Sequence, residues 1–243
     1  MNKNLERLVE EEFLSIPLRP KTMLTYTMRT SILESIKEEC ADFCGIVLDV
    51  GCGLMPYRKI VEANPKVEKY IGMDWENPLY SNLVEPDLRW DGKQIPLEDE
   101  SVDCVIATEF LEHYADTEVI LHEIWRVLRQ DGKVFATVPF VWNLHEIPHD
   151  EYRFTPFSLE RLFVRVGFKD IKISALGGWN RALAQMVGLW ITFAKMPEVF
   201  RKFLRVVLFP VYVFLVKTDK KPEKFDDREN SMFTGLKITA RKS

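Results

Sequence analysis

Two glycines and an acid give the chain its first chemical signature. In Val47-Leu48-Asp49-Val50-Gly51-Cys52-Gly53 an apolar run meets a carboxylate and then a G-x-G turn. Having no side chains, Gly51 and Gly53 permit a sharp turn and leave the backbone open to a ligand. Lys69-Tyr70-Ile71-Gly72-Met73-Asp74 closes a second run on an acid roughly 20 residues further on. From there a carboxylate can accept hydrogen bonds from both ribose hydroxyls of an adenosine cofactor. Each feature also has a plainer reading, the glycines as an ordinary turn and Asp74 as a cap on the next one. Three of the four histidines, His113, His145 and His149, are groups that titrate near neutral pH and can take a proton from an acceptor. His145 and His149 share the stretch from Trp142 to Pro156 with Asp150, Tyr152 and Arg153.

These residues need a scaffold that brings them to one edge. Val47–Val50 and Lys69–Asp74 read as buried strands, and Ser101-Val102-Asp103-Cys104-Val105-Ile106-Ala107 reads as a third. Glu109-Phe110-Leu111-Glu112-His113 follows it. The spacing then predicts a helix with Val119, Ile120, Ile124, Val127 and Leu128 on its apolar face and Glu118, Glu123, Arg126 and Arg129 on its polar face. Asp131-Gly132 is expected to end it, and Lys133 to Pro139 to form the next strand. Strand and helix in alternation predict a parallel sheet covered on both faces, with the histidine stretch at its carboxyl edge.

In order and spacing, these segments resemble the class I S-adenosylmethionine-dependent methyltransferases, in the broad group of small-molecule "type 11" and glycan-tailoring enzymes. The likeness runs from about Val47 to Phe168 and resumes at Leu236 to Lys242. It rests on Asp49-Val50-Gly51-Cys52-Gly53, Asp91-Gly92-Lys93-Gln94-Ile95-Pro96-Leu97, Leu111-Glu112-His113, Glu123 to Gly132, and His149-Asp150-Glu151-Tyr152-Arg153-Phe154-Thr155-Pro156. The resemblance implies an α/β fold, a Rossmann-like seven-stranded sheet with helices on both faces and an antiparallel last strand. It implies S-adenosyl-L-methionine as cofactor, with Asp49, Gly51, Cys52 and Gly53 around its amino-acid portion and Asp74 on the ribose. Trp75 would lie against the adenine, or serve only as a half-buried loop tryptophan. Asp91 and the backbone of Gly92 would meet the adenine edge, and Glu109 would border the methionine end. His149 and His145 are the candidate bases. His113, Asp150, Tyr152 and Arg153 are candidate acceptor contacts, although Asp150 and Arg153 could equally brace the loop, with Thr155 capping the helix that starts at Pro156.

The chain departs from the family pattern at Met55, where a third glycine is frequent, and Pro56-Tyr57 follows, a variant some members share. A nicotinamide-dependent oxidoreductase, the nearest rival on this fold, requires glycine at the last position of G-x-G-x-x-G, where this chain has Pro56. The expected activity is methyl transfer to a small-molecule, glycan or lipid-linked acceptor, at oxygen. A protein that binds the cofactor without turning it over would carry the same motifs.

A chain of 243 residues, 47% of them hydrophobic, can bury one sizeable core. The expected organisation is an N-terminal helical cap (1–40), the cofactor-binding core (41–181), an apolar helical insertion with a loop (182–231) and a final strand (232–243). Within the cap, an apolar stripe at Leu5, Leu8, Val9 and Phe13 is broken by Pro17 and Pro20, and a second helix is expected over Thr22 to Glu39. Net charge −4 without a basic block gives no reason to expect a nucleic-acid partner. Met1 to Glu12 has no apolar signal-peptide core, and the four cysteines show no disulfide spacing, which suits a reducing cytoplasm. Cys40 and Cys44 would share a helix face, too little for a metal site, and no metal is expected.

The insertion carries a second message. Leu183 to Ala194 and Val199 to Val216 are strongly apolar, yet neither has the ~20 uninterrupted apolar residues of a membrane span. Between Ala182 and Lys217 stand five basic residues against one acidic. The charges at 198, 201, 202 and 205 are expected on one helix face, with Phe200, Phe203, Leu204 and Val207 opposite, and Pro210 is expected to end or kink the helix. Such a helix suits a membrane surface, a lid or a homodimer contact.

Overall fold

The computed structural model describes residues 3–75 and 83–243. Seven strands, β1 (Gly45–Val50), β2 (Val67–Asp74), β3 (Leu88–Arg89), β4 (Val102–Thr108), β5 (Leu128–Pro139), β6 (Lys169–Leu176) and β7 (Gly235–Arg241), form one sheet in the order β3-β2-β1-β4-β5-β7-β6. The five strands from β3 to β5 run parallel, and β7 lies antiparallel between β5 and β6. Strand order reverses between β1 and β4, and at such a switch point the two chain ends leave in opposite directions and open a crevice at the carboxyl edge.

Alternation along the central strands builds two apolar layers, one on each face of the sheet. Leu48, Val50, Val105 and Ala136 join the layer of α4 (Thr117–Val127) and α5 (Pro156–Val166) through Ile120, Ile124, Leu159 and Phe163. Val47, Tyr70, Cys104 and Phe135 join the opposite layer with Ile32 and Ile36 of α2 (Tyr26–Glu39), Phe43, and Val61 of α3 (Arg58–Glu62). α5 is bounded by local chemistry. The Thr155 hydroxyl accepts from the Ser158 N–H at 3.2 Å, Pro156 opens the first turn, and Gly167 closes it at φ 108°.

The N-terminal stripe forms α1 (Lys3–Val9) and one wider turn over Glu10–Leu14, seating Leu5 and Val9 on Leu54 of the G-x-G loop. α6 (Trp179–Phe193) and α7 (Glu198–Lys217) make a hairpin before β7, packed on Met23 through Ala184, Ile191, Leu204 and Tyr212. No described helix is long and apolar enough to cross a membrane.

Several local expectations are corrected. α4 stops at Val127 because Leu128, fully buried, is drawn into register with Val102, so Arg129 and Asp131-Gly132 belong to β5. Val119 is exposed on α4 instead of facing the core. Cys44 does not share a helix face with Cys40, since α2 ends at Glu39 and Cys44 lies beyond the short turn that follows. Pro210 does not end α7. The buried stripe of Leu204, Tyr212 and Leu215 continues on both sides of it and offsets the roughly 3 kcal/mol an interior proline costs a helix. Leu204 sits on that covered stripe, whereas Phe200, Phe203 and Val207 are exposed.

Candidate functional site

A cleft of about 280 Å³ opens at the carboxyl edge, where β1, β2, β4 and β5 end. Its floor is Gly51, Cys52 and Gly53, with Asp74 and Trp75 on one side and Thr108, Glu109 and Phe110 on the other. Phe13, Met28, Arg29 and Ile32 of the N-terminal segment wall it in. The Asp74 carboxylate ties the loop to β2, accepting from the Gly53 N–H at 2.7 Å and from the Trp75 N–H at 2.8 Å. Each of its oxygens keeps a second lone pair for a ligand. At Gly53 the backbone is left-handed, φ +49°, and a Cβ there would meet nothing within 4 Å, so the loop presents bare main chain to open space.

Burial dominates the electrostatics of the seat. Asp49 lies beneath the loop, 2% exposed, accepting from the Tyr70 hydroxyl through Oδ2 while Oδ1 has no partner. Burial raises its pKa to about 7 against the opposing Tyr70 hydrogen bond. Glu109, at φ +50°, accepts from the Thr137 hydroxyl at 2.8 Å, and burial raises it to about 7 as well. Asp74 is raised in the same sense, burial outweighing its two backbone hydrogen bonds. The cleft's basic lining residue, Arg29, already pairs with Glu12 at 2.6 Å.

Desolvated carboxyls around a crevice favour a cationic guest over an anionic one. S-adenosylmethionine carries an ammonium and a sulfonium, whereas a dinucleotide would bring two anionic phosphates against Asp74 and Glu109. The residues present therefore fit S-adenosylmethionine: a bare glycine loop, a ribose acid with free lone pairs, and an aromatic face at Trp75.

The segment after β5 supplies the other half of the site. Arg153 holds Asp150 in a two-pronged pair, Nη1 to Oδ1 at 2.7 Å and Nη2 to Oδ2 at 2.8 Å, and also donates to the Asn143 carbonyl at 3.1 Å. Asp150 Oδ2 accepts from both the backbone N–H and Nδ1 of His145 at 3.1 Å. Burial alone would raise Asp150, but these hydrogen bonds outweigh it and hold the pKa at about 2. His145, half-buried in the cleft wall, is pushed below its usual value by burial and by nearby His113, against the pull of Asp150. A carboxylate only accepts, so Nδ1 carries the hydrogen and Nε2 keeps its lone pair. His113 packs edge-on at 4.6 Å and donates from Nδ1 to the His149 carbonyl at 2.8 Å.

The candidate residues divide into two groups. Gly51, Cys52, Gly53, Asp74, Trp75, Glu109, His113 and His145 line one cleft, joined by Trp142 and Glu146. Asp49 lies under the floor, and Asp150 and Arg153 stand behind His145. His149 is exposed outside the lining, its ring 5.9 Å from Trp75. Tyr152 turns away to donate to the Ala115 carbonyl at 2.6 Å. Asp91 is exposed and spends Oδ1 on the Lys93 N–H at 2.9 Å, and Gly92 receives the Tyr114 hydroxyl at its carbonyl; neither lines the cleft.

The sequence reading passed over Glu112. Its side chain is fully buried with neither oxygen hydrogen-bonded, and it lies with His113 and His145 in a set whose possible ligand atoms fall within 4.8 Å of one another. Such a set could hold a divalent ion. Burial, reinforced by Glu109, pushes the Glu112 carboxyl well above its usual range and so disfavours the charged form that a cation would need. The apolar neighbours Phe110 and Leu111 were the available signal that it would be buried.

Residues 48–136 match a family described as "Methyltransferase domain". Among curated proteins, an uncharacterized methyltransferase-like protein of Schizosaccharomyces pombe is 29% identical over 151 residues, covering 55% of this chain and 58% of that protein. The chain therefore spans little more than half the length of that relative. A SAM-dependent methyltransferase from Archaeoglobus fulgidus superposes with a TM-score of 0.56 at 18% identity, covering 97% of this chain and 98% of that one. A chain from a complex containing the Haloferax volcanii Trm112 methyltransferase activator gives 0.58 at 16% identity, covering 99% of this chain and 98% of that one. Haemonchus contortus phosphoethanolamine N-methyltransferase 2, solved with S-adenosyl-L-methionine, gives 0.52 at 13% identity, covering 98% and 60%. At these identities the likeness is one of fold.

Proposed function

The chain carries a methyltransferase domain and has the class I S-adenosylmethionine-dependent methyltransferase fold, and from that premise we propose that it methylates an oxygen of a small-molecule, glycan or lipid-linked acceptor entering beside His145. The observation that carries this reading is the Arg153–Asp150–His145 chain opening into the same cleft as the glycine loop.

S-adenosylmethionine, when bound, supplies a methyl group already activated on a sulfonium. The loop of Gly51 to Gly53, Asp74 and Trp75 would hold it, with Asp49 beneath the loop answering its ammonium. The residues after β5 then have to orient an acceptor and take its proton. His145 is suited to that task. Asp150 fixes its tautomer so that Nε2 accepts, and its lowered pKa keeps it neutral at physiological pH. Arg153 holds Asp150 ionised, so the base is oriented by a third group, as an activated catalytic pair requires. His149, beside Trp75, is assigned to the entrance, where it contacts acceptor or cofactor at the rim.

The test couples binding to turnover. Calorimetric titration should give micromolar binding of S-adenosylmethionine and none of NAD. With a panel of sugars, phenols and polyprenyl-linked hydroxyls, release of S-adenosylhomocysteine should fall roughly 10²- to 10⁴-fold in Asp150→Asn, with cofactor affinity retained. The acid limb of the wild-type rate should lie below pH 6.5, because protonated His145 cannot accept a proton and its pKa is displaced downward. An Asp150→Asn variant that turned over at the wild-type rate would remove the base assignment. Tight cofactor binding without turnover on any acceptor would favour a binding protein over an enzyme.

A further inference from the structure

The α6–α7 hairpin is apolar on two sides, and only one of them is covered. Leu204, Tyr212 and Leu215 face inward onto the hairpin's own cluster. Phe203, Val207, Val211 and Phe214 run along the outside of α7, and Leu183, Met186, Trp190 and Phe193 form a matching exposed stripe on α6. Both stripes keep the three- or four-residue spacing of a single helix face. Bare apolar stripes of this kind on a protein in water mark an interaction site.

Its charge indicates what covers it. Glu198, the one acid between Ala182 and Lys217, is tied to Arg201 at 3.1 Å, and Arg201 also closes the hairpin turn on the Ile191 carbonyl at 2.6 Å. Lys195, Lys202, Arg205 and Lys217 remain, and none of them has an acidic partner among the described residues. The free charges of the hairpin are thus all positive, in a chain of net charge −4. A symmetric dimer through the hairpin would bring its like charges together. An anionic bilayer takes the apolar stripe into its interface and answers the basic residues with its headgroups. Since neither helix can span the membrane, the hairpin would lie in the plane of the surface.

We propose that the α6–α7 hairpin seats this protein on an anionic lipid bilayer, so that the acceptor is presented from the membrane. This rests on the methyltransferase reading above and names the source of its acceptor. α6 is joined directly to the acceptor side of the cleft: Ala182 and Leu189 pack with Val141, and Trp142, packed on the same cluster, lines the cleft wall beside His145. A protein docked through α6 therefore brings that wall close to the headgroup layer.

The experiment is flotation of the full chain with vesicles of phosphatidylcholine alone and of phosphatidylcholine mixed with phosphatidylglycerol, with calorimetry of S-adenosylmethionine and light scattering on the same samples. The chain should float with the anionic vesicles, and added salt should weaken the association. Lys202→Gln with Arg205→Gln should lower the partition coefficient roughly fivefold per residue. Phe203→Glu with Val207→Glu should abolish flotation while S-adenosylmethionine binding stays unchanged, which excludes misfolding as the cause. Failure of the wild type to float overturns the proposal. So does a concentration-dependent dimer that the Phe203→Glu, Val207→Glu variant dissociates without any vesicle binding, since the face then belongs to a second copy. Flotation without cofactor binding would overturn the enzymatic reading and leave the docking surface standing.

Discussion

Asp49 offers the sharpest quantitative test of the seat. Its carboxyl is 2% exposed, receives one hydrogen bond from Tyr70, and is raised from a usual 3.8 to about 7. Because the folded state holds this proton more tightly than the unfolded chain does, the stabilisation is complete below about pH 4 and is lost as pH rises towards 7. At 1.36 kcal/mol per unit, the loss attributable to Asp49 is on the order of 4 kcal/mol over the whole interval and about 3 kcal/mol between pH 5 and 8. Asp49→Asn removes the ionisation. Its amide oxygen can still accept from Tyr70, while its NH₂ takes the position of the unpartnered Oδ1 and costs about 1–3 kcal/mol as a buried unsatisfied donor. That second cost does not depend on pH. Urea unfolding of both proteins at pH 5, 6, 7 and 8 should therefore show the stability gap swinging by about 3 kcal/mol in favour of the variant as pH rises. Glu109 and Glu112 titrate in both proteins and drop out of the difference. A gap constant to within about half a kcal/mol would refute the buried-acid account of Asp49.

Two further outcomes follow from the same seat. Binding S-adenosylmethionine near pH 7 should release a fraction of a proton as its ammonium draws the Asp49 pKa down, visible as binding enthalpies that differ between phosphate and Tris buffers and differ less in Asp49→Asn, where Glu109 alone still titrates near 7 in the cleft. Gly53→Ala should lower stability by only about 1–2 kcal/mol, the strain of a left-handed alanine, yet weaken cofactor binding at least about tenfold by filling the open side of the loop; unchanged calorimetric affinity would show that the loop is not the seat.

How much of this was legible in the sequence depended on whether the deciding interaction was local. The strands ending at Val50, Asp74 and Thr108 were readable because the buried stretch of each parallel strand is a mostly apolar run, and the G-x-G turn announces itself through glycine alone. The start of α5 was readable from Thr155-Pro156 for the same reason. What was not legible depended on distant partners. Leu128 joins β5 because Val102 stands beside it, and nothing in Glu123 to Gly132 encodes that neighbour. His145 and His149 are equivalent histidines in sequence, and only the folded loop turns one towards Asp150 inside the cleft and leaves the other at the rim. The two-sided apolarity of α7 was visible as composition. Which side would be covered was settled by Met23 and α6, far away in the chain.

Met55, the departure from the glycine pattern, shows how such a loop keeps its geometry with a bulky residue in it. Met55 takes the left-handed conformation itself, φ +51°, which costs a non-glycine residue about 1–2 kcal/mol. Its side chain turns inward onto β2, where a Cβ at Gly72 would come within 2.5 Å of the Met55 sulfur and 3.0 Å of Cys52 Sγ. The thioether also receives Arg58 Nη1 at 3.4 Å. The room that a third glycine would have left in the loop is supplied instead by a glycine in the neighbouring strand. Met55 and Gly72 thus form a complementary pair: an alanine at 72 would force the methionine sulfur to shift. Met55 does not line the cleft, so its bulk packs against β2 and leaves the main chain of Gly53 bare.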